Sequence, residues 1–321
     1  MNPVTIADVR EAAARISGHV IRTPLRLSPY LSEIGGQTVR LKLETMQDTG
    51  AFKIRGATNA LMKMSETERA RGVITMSSGN HGRGLAYASK RLGAPCSVYM
   101  SELVPQVKVD AIRNLGAEVV IAGPSQETAE DGVHERIAKD GLVYVHPFDA
   151  PDIVAGQGTI GLEILEDMPD VKTVLVPLSG GGLFAGVAMA LKSLKPDIRM
   201  VGITMENGPA MIDSLKAGKP VPVDEVETLA DALGGTIGLE NKITFDMTRR
   251  YIDDTILLSE EEIADAMRIL FHKDHLVTEG GGAVGVGALT AGKIKLDDGP
   301  ITIVVSGCNV DMAKFKSIVD Q

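Results

Sequence analysis

The chain has 321 residues, enough for one large domain or two of moderate size, and its 44% hydrophobic and 23% charged content is that of a soluble globular protein. A net charge of −9 argues against a phosphate-backbone partner, and 3% aromatics with no Trp argue against an aromatic nucleic-acid platform. The longest apolar runs, such as Thr173 to Leu178, are strand-length and cannot span a bilayer. Met1 to Ser17 carries Asp8, Arg10, Glu11 and Arg15 in place of a signal-peptide core. Cys96 and Cys308 form no disulfide framework, so a reducing cytoplasm is the expected setting.

Thr5 to Ser17 has helical spacing, Arg22-Thr23-Pro24-Leu25 turns into extended chain, and Val39 to Glu44 is a strand. A helix is expected to begin near Gly50 with Lys53 in its first turn. From Val73 to His146 strands and helices alternate: Val73–Met76 then Gly84–Arg91, Cys96–Met100 then Val107–Leu115, and Glu118–Ala122 then Thr128–Lys139. Leu142–His146 closes this set. The rhythm predicts a parallel α/β sheet. Ile153 to Glu166 is helical despite Gly156, Gly158 and Gly161, each costing roughly 1 kcal/mol against Ala, which implies close packing there. Strands follow at Thr173–Leu178, Met200–Thr204, Thr255–Leu258 and Ile301–Val305, with a helix over Leu183–Leu194. A second helix, Ile263–Phe271, opens with the capping box Ser259-Glu260-Glu261-Glu262. The expected division is a large domain from 1–50 and 147–321, a connecting segment over 51–71 and a small domain over 72–146.

Four motifs carry the chemistry: Phe52-Lys53-Ile54-Arg55-Gly56, Ser77-Ser78-Gly79-Asn80-His81-Gly82, Ser179-Gly180-Gly181-Gly182-Leu183 and Ser306-Gly307-Cys308-Asn309. An amine beside an aromatic ring, a Ser/Gly/Asn turn and a glycine loop between strand and helix suit an anionic, aldehyde-bearing cofactor and a carboxylate substrate. Three residues without Cβ let backbone N–H groups converge on an anion at a helix start. No Lys-Ser/Thr follows the glycines and no GxGxxG occurs, so a single phosphate suits the loop better than a nucleotide. Taken in order, the four motifs resemble the serine/threonine dehydratase and serine racemase family, fold-type II enzymes that use pyridoxal 5'-phosphate. The likeness runs over nearly the whole chain. Ser101 to Ala117 and Leu229 to Gly238 resemble a branch that includes erythro-3-hydroxyaspartate and hydroxyectoine-utilisation dehydratases.

The resemblance implies a tryptophan synthase β-like fold, two open α/β domains with the cofactor in the cleft between them, and a homodimer. It makes Lys53 the covalent anchor of the cofactor and the base at the substrate Cα, with Phe52 against the ring. A surface lysine is the alternative, which Phe52 and Gly56 disfavour. By the same likeness Ser179, Gly180, Gly181, Gly182 and Leu183 hold the phosphate, Ser306 meets the pyridine nitrogen, and Asn80 reaches the ring hydroxyl. Glu279 sits near the ring edge, a helix cap being its alternative. Ser77, Ser78, Gly79, Asn80 and His81 take the substrate carboxylate, and Ser78 matches the acid/base of racemases; an N-cap is the plain reading of this turn. Glu206 and the Ala210 carbonyl match two ligands of a divalent-metal site, possible for Mg²⁺, but Ile212 stands where an Asp is usual. His272 and His275 are better explained by an exposed helix end than by a metal.

The reaction this implies is dehydration and deamination of a β-hydroxy amino acid to a 2-oxo acid and ammonia. The preferred substrate is 3-hydroxyaspartate, giving oxaloacetate. Besides the branch likeness, Arg83 stands where relatives have Gln and could pair a second carboxylate; a solvent-facing position on the first helical turn is its alternative. Other readings are L-threonine or L-serine dehydration, racemisation through Ser78, and cofactor binding without turnover.

Overall fold

The computed structural model describes residues 4–102, 104, 106–123, 126–295 and 299–321. Residues 103 and 105, inside the Ser101–Ala117 stretch, and residues 1–3, at the start of the Met1–Ser17 stretch, lie outside the described residues.

Among the described residues ten strands form two sheets: β1 (Leu25–Leu27), β2 (Val39–Leu43), β3 (Val73–Met76), β4 (Cys96–Met100), β5 (Glu118–Ile121), β6 (Val143–Tyr144), β7 (Thr173–Pro177), β8 (Arg199–Met205), β9 (Asp254–Leu258) and β10 (Ile301–Val305). The larger has the order β1-β2-β10-β7-β8-β9, parallel except for β1 against β2; the smaller, β5-β4-β3-β6, is wholly parallel. Each is covered by helices, so the molecule consists of two α/β domains. Continuous β-branched runs explain the central strands, which must be apolar on both faces. On β10, Ile301, Ile303 and Val305 enter one core while Val304 enters the other. Each such side chain, fully buried, contributes roughly 1.5–3 kcal/mol.

Glycines set the helices around the cleft. A Cβ on Gly156 would lie 2.6 Å from Gly56 Cα, and one on Gly84 would lie 3.0 Å from Ile54 N. The Lys53–Lys63 helix is therefore wedged, backbone to backbone, between the Pro151–Asp167 and Asn80–Leu92 helices. The glycines of the Ile153–Glu166 stretch do pack closely, as their cost required.

Several boundaries differ from expectation. The helix expected near Gly50 starts at Lys53, because Gly50 takes a φ of 72° and Ala51 forms an antiparallel bridge to Gly307. The helix expected from Gly84 starts at Asn80, placing Asn80 and His81 in its first turn. β6 stops at Tyr144 because His146 Nδ1 accepts hydrogen bonds from Phe148 N (3.2 Å) and Asp149 N (2.7 Å) and turns the chain. Helices at Pro29–Gly35, Glu66–Arg71, Ala210–Ala217, Ile243–Tyr251, Gly280–Thr290 and Met312–Val319 were not foreseen. The Ser259 capping box forms as expected. Among the described residues no helix is long and apolar enough to cross a membrane.

Candidate active site

Lys53 heads its helix and is partly accessible. Its amine donates to the Pro147 carbonyl at 2.6 Å and lies 5.4 Å from the Phe52 ring centroid and 5.9 Å from that of Phe148. Burial lowers its pKa to about 8, so a sizeable neutral fraction exists near neutrality. The end of β10 supports it from below: Phe52 N donates to the Ser306 carbonyl at 3.1 Å, and the buried Ser306 hydroxyl lies 3.5 Å from Gly281 O.

The Ser179–Leu183 turn leaves the C-terminal end of β7 and opens the Gly182–Leu194 helix. No side chain caps that helix. Its first-turn N–H groups and dipole therefore offer an anion site. Gly181 has a φ of 85°, and its Cβ would lie 2.8 Å from Met211; a Cβ on Gly180 would lie 2.5 Å from the Phe148 ring. The buried Thr248 hydroxyl, without a hydrogen-bond partner, lies behind the same loop.

Opposite, the Ser77–His81 turn leaves the end of β3. Ser77 Oγ accepts from Gly79 N at 3.3 Å, and Ser77, Ser78 and Gly79 are half-buried. Asn80 Nδ2 donates to Glu279 at 2.7 Å, and Asn80 Oδ1 accepts from Asn309 Nδ2 at 2.6 Å. Glu279 also accepts from Asn309 N at 3.1 Å, and burial pushes its carboxyl up to about 7. His81 is buried; its Nε2 bonds the Val145 carbonyl at 3.0 Å, which assigns the proton to Nε2 and leaves Nδ1 without a partner. Burial, helped by Lys53, lowers His81 to about 3, and burial lowers His146 to about 4. Both rings are neutral at ordinary pH.

Phe52, beside Lys53, thus meets Ser306, Asn80 meets Glu279, the two groups join where Glu279 N donates to the Gly307 carbonyl at 3.2 Å, and the glycine loop joins Lys53 through Phe148. Arg83 does not stand free: its Nη1 donates to Asn309 Oδ1 at 2.7 Å. Glu206 is exposed and accepts from Lys293 at 3.3 Å, the Ala210 residue is buried at a helix start, and Ile212 is buried. Among the described residues no group of three or more His, Cys, Asp and Glu side chains could hold a metal. Neither Glu206, which accepts from the Lys293 ammonium, nor the Ala210 position adds support among the described residues for the Mg²⁺ that the resemblance implied there. Pro147, Phe148, His146 and Asn309 were missed as site residues. The place of 146–148 at a strand end was the available signal, and Asn309 lay inside a quoted motif.

Residues 16–307 match the family of pyridoxal-phosphate-dependent enzymes. The chain belongs to that family. It is 42% identical over 318 residues to the L-threonine ammonia-lyase of Thermotoga maritima, covering 99% of this chain and 79% of that one. It is 38% identical over 318 residues to the catabolic L-threonine dehydratase of Escherichia coli K12, covering 98% and 96%. Maize serine racemase superposes with a TM-score of 0.93 at 33% identity, covering 98% and 97% of the two chains. The protein is a fold-type II pyridoxal-phosphate-dependent lyase. The likeness reaches the family and does not single out the hydroxyaspartate-dehydratase branch. The residues of this pyridoxal-phosphate enzyme fit its cofactor: an uncapped glycine helix start suits the phosphate, and a desolvated amine beside two rings suits the aldehyde.

Proposed function

We propose that this chain is an L-threonine ammonia-lyase, also acting on L-serine, that releases a 2-oxo acid and ammonia. The observation that carries the reading is the Lys53 amine, desolvated and, among the described residues, without a carboxylate partner, 5.9 Å from the Phe148 ring that backs the glycine loop. Match over nearly the full chain to an L-threonine ammonia-lyase and a catabolic L-threonine dehydratase supports the substrate.

Bound pyridoxal phosphate supplies an electron sink that acidifies the substrate Cα. The first-turn N–H groups of Ser179–Leu183 would hold the phosphate, Phe52 would back the ring, and the Ser306 hydroxyl would meet the pyridine nitrogen without the full charge an Asp would bring. Glu279 and Asn80 flank the ring edge. Ser77, Ser78, Gly79 and the start of the Asn80–Leu92 helix take the substrate carboxylate. Lys53 would anchor the cofactor until the substrate amine takes its place; the freed Lys53 amine would then take the Cα proton, and the ammonium so formed would give a proton to the departing β-hydroxyl. The C–H and C–O bonds break, water leaves, and the released enamine hydrolyses to 2-oxo acid and ammonia.

The case for 3-hydroxyaspartate weakens because Arg83 is engaged by Asn309 rather than awaiting a second carboxylate. The test is a steady-state comparison of L-threonine, L-serine and the 3-hydroxyaspartate isomers. Threonine should exceed hydroxyaspartate in kcat/KM by at least about tenfold, roughly 1.4 kcal/mol. The reverse order would restore the dicarboxylate reading. The serine racemase likeness favours a side activity in which Ser78 returns a proton to the face opposite Lys53; D-serine formed beside pyruvate from L-serine would reveal it. A homodimer belongs to the same proposal, and sedimentation of the holoenzyme tests it.

A further inference from the structure

The Phe52–Gly56 motif contains a second cation that the reaction does not use. Arg55 follows Lys53 by two positions, about 200° around the helix, so the two side chains leave opposite faces. Arg55 has no exposed surface. Its Nε donates to Glu44 Oε2 at 2.8 Å and its Nη2 to Glu44 Oε1 at 2.8 Å. On the other side Nη1 and Nη2 donate to the two Glu163 oxygens at 2.6 and 2.8 Å, and Nη1 also reaches Thr159 Oγ1 at 3.1 Å. Lys42, equally buried, donates to Glu163 at 2.5 Å and to the Thr23 carbonyl at 2.6 Å. Thr23 and Gln47 complete Glu44. Two positive and two negative side chains balance inside the protein, each hydrogen bonded, and link β2, the Lys53–Lys63 helix and the Pro151–Asp167 helix.

Stability alone does not account for this arrangement. Desolvating four charges offsets most of their attraction, and well-packed apolar side chains commonly serve as well. What a guanidinium between two carboxylates supplies is direction, because each fork fixes the plane and angle of approach. The backbone contact of Gly56 with Gly156 sets how close the helices lie, and single hydrogen bonds from Gly56 N to Gln157 Oε1 (3.3 Å) and from Asn59 Nδ2 to the Asp152 carbonyl (2.7 Å) add to it, while the paired forks of Arg55 are the contacts that fix rotation about the helix axis from two sides. Rotation is the coordinate that would carry the Lys53 amine away from Pro147 and the Phe148 ring.

We propose that Arg55 is a positioning residue for the reaction, its two carboxylate forks locking the rotation of the Lys53–Lys63 helix so that the Lys53 amine points into the cleft. The proposal rests on Lys53 being the cofactor-bearing amine. Borohydride reduction of the wild-type holoenzyme with peptide mapping tests that assignment separately, since a label on another lysine would overturn it before Arg55 is considered.

With the label on Lys53, the variants are Arg55→Lys, which keeps the charge and loses the fork, and Glu163→Gln, which keeps the shape and weakens one fork. In the Arg55→Lys holoenzyme kcat should fall at least about tenfold while KM stays within about threefold. A second readout is the rate at which the full-length, cofactor-stripped chain recaptures pyridoxal phosphate, followed by visible absorbance against pH. Its midpoint, near 8 when the amine is held dry, should move up as the freed amine meets water. Glu163→Gln should move the midpoint the same way by less. A folded Arg55→Lys protein with unchanged midpoint and kcat overturns the proposal. If that variant does not fold, an unchanged midpoint in Glu163→Gln overturns it instead.

Discussion

The turn after β3 and the turn after β7 both carry a parallel strand into a helix, and they are built in opposite ways. In Ser179–Leu183 the glycines have protein directly behind them, so that added Cβ atoms would strike Phe148 and Met211. In Ser77–His81 the corresponding space is open: a Cβ on Gly79 would meet nothing within 4 Å. The first turn is a fixed mould, suited to a group that stays through every turnover. The second has room to adjust, suited to one that arrives and leaves. Small residues in a turn therefore have two meanings, close support from behind or free space in front, and only the packing separates them.

Three substitutions, one of them with a paired control, and one removal probe this contrast. Lys53→Ala should abolish covalent cofactor attachment and lyase activity while leaving the melting temperature within a few degrees, since the side chain contributes chemistry and little packing; borohydride labelling and 2-oxo acid release measure the two effects. Gly181→Ala meets both a left-handed backbone, costing about 1–2 kcal/mol, and the Met211 contact. Cofactor retention in dialysis should drop by at least about tenfold, by the same arithmetic. Gly79→Ala, the control on the open side, should leave retention unchanged; equal damage from both would erase the distinction between mould and open turn.

The third substitution concerns His81, buried at the foot of the open turn. Its folded pKa is depressed to about 3 from 6.5, so between those values the unfolded chain binds more protons than the folded one. Its contribution is fully present above pH 6.5 and is lost as pH falls through that window. His81→Asn should reduce the slope of unfolding free energy against pH by about 1.4 kcal/mol per unit between pH 6 and 4. Denaturant melts at several pH values measure it, and equal slopes would mean that His81 is already protonated in the native protein. The smallest effect is expected from chelation. With Glu206 paired to Lys293 and Ile212 apolar, verified removal of divalent ions should leave activity and melting temperature unchanged. Activity lost to chelation and restored by Mg²⁺ would return the cation to Glu206 and Ala210.

The sequence disclosed what is local. The Ser259 box, the strand rhythm and the Lys53 motif each depend on residues a few positions apart, and the first forms as expected while the others appear with their element ends shifted by a few residues. The Gly280–Thr290 helix did not show itself, because it is buried on nearly every side and has no amphipathic period to read. Arg83 looked like a free cation because its partner, Asn309, lies 226 residues away. Pro147 was invisible for another reason: it acts through a backbone carbonyl that any residue could have supplied. Arg55 was quoted within its motif, yet its role needs Glu163, 108 residues on, whose own neighbours gave no hint of burial.

The glycine wedge bears on how this sequence can drift. Gly84 and Gly156 sit at points where one helix backbone lies against another, so no side chain at either can be accommodated by trimming a neighbour's side chain, whereas a Cβ on Gly56 would first meet the Gln157 side chain at 2.6 Å. Most core positions exchange volume with their surroundings, one growing as another shrinks, and so leave a record of paired change. Gly84 and Gly156 have nothing to trade. They behave as independent fixed letters, and the chain around the reacting amine can vary in what it packs but not in how closely it is held.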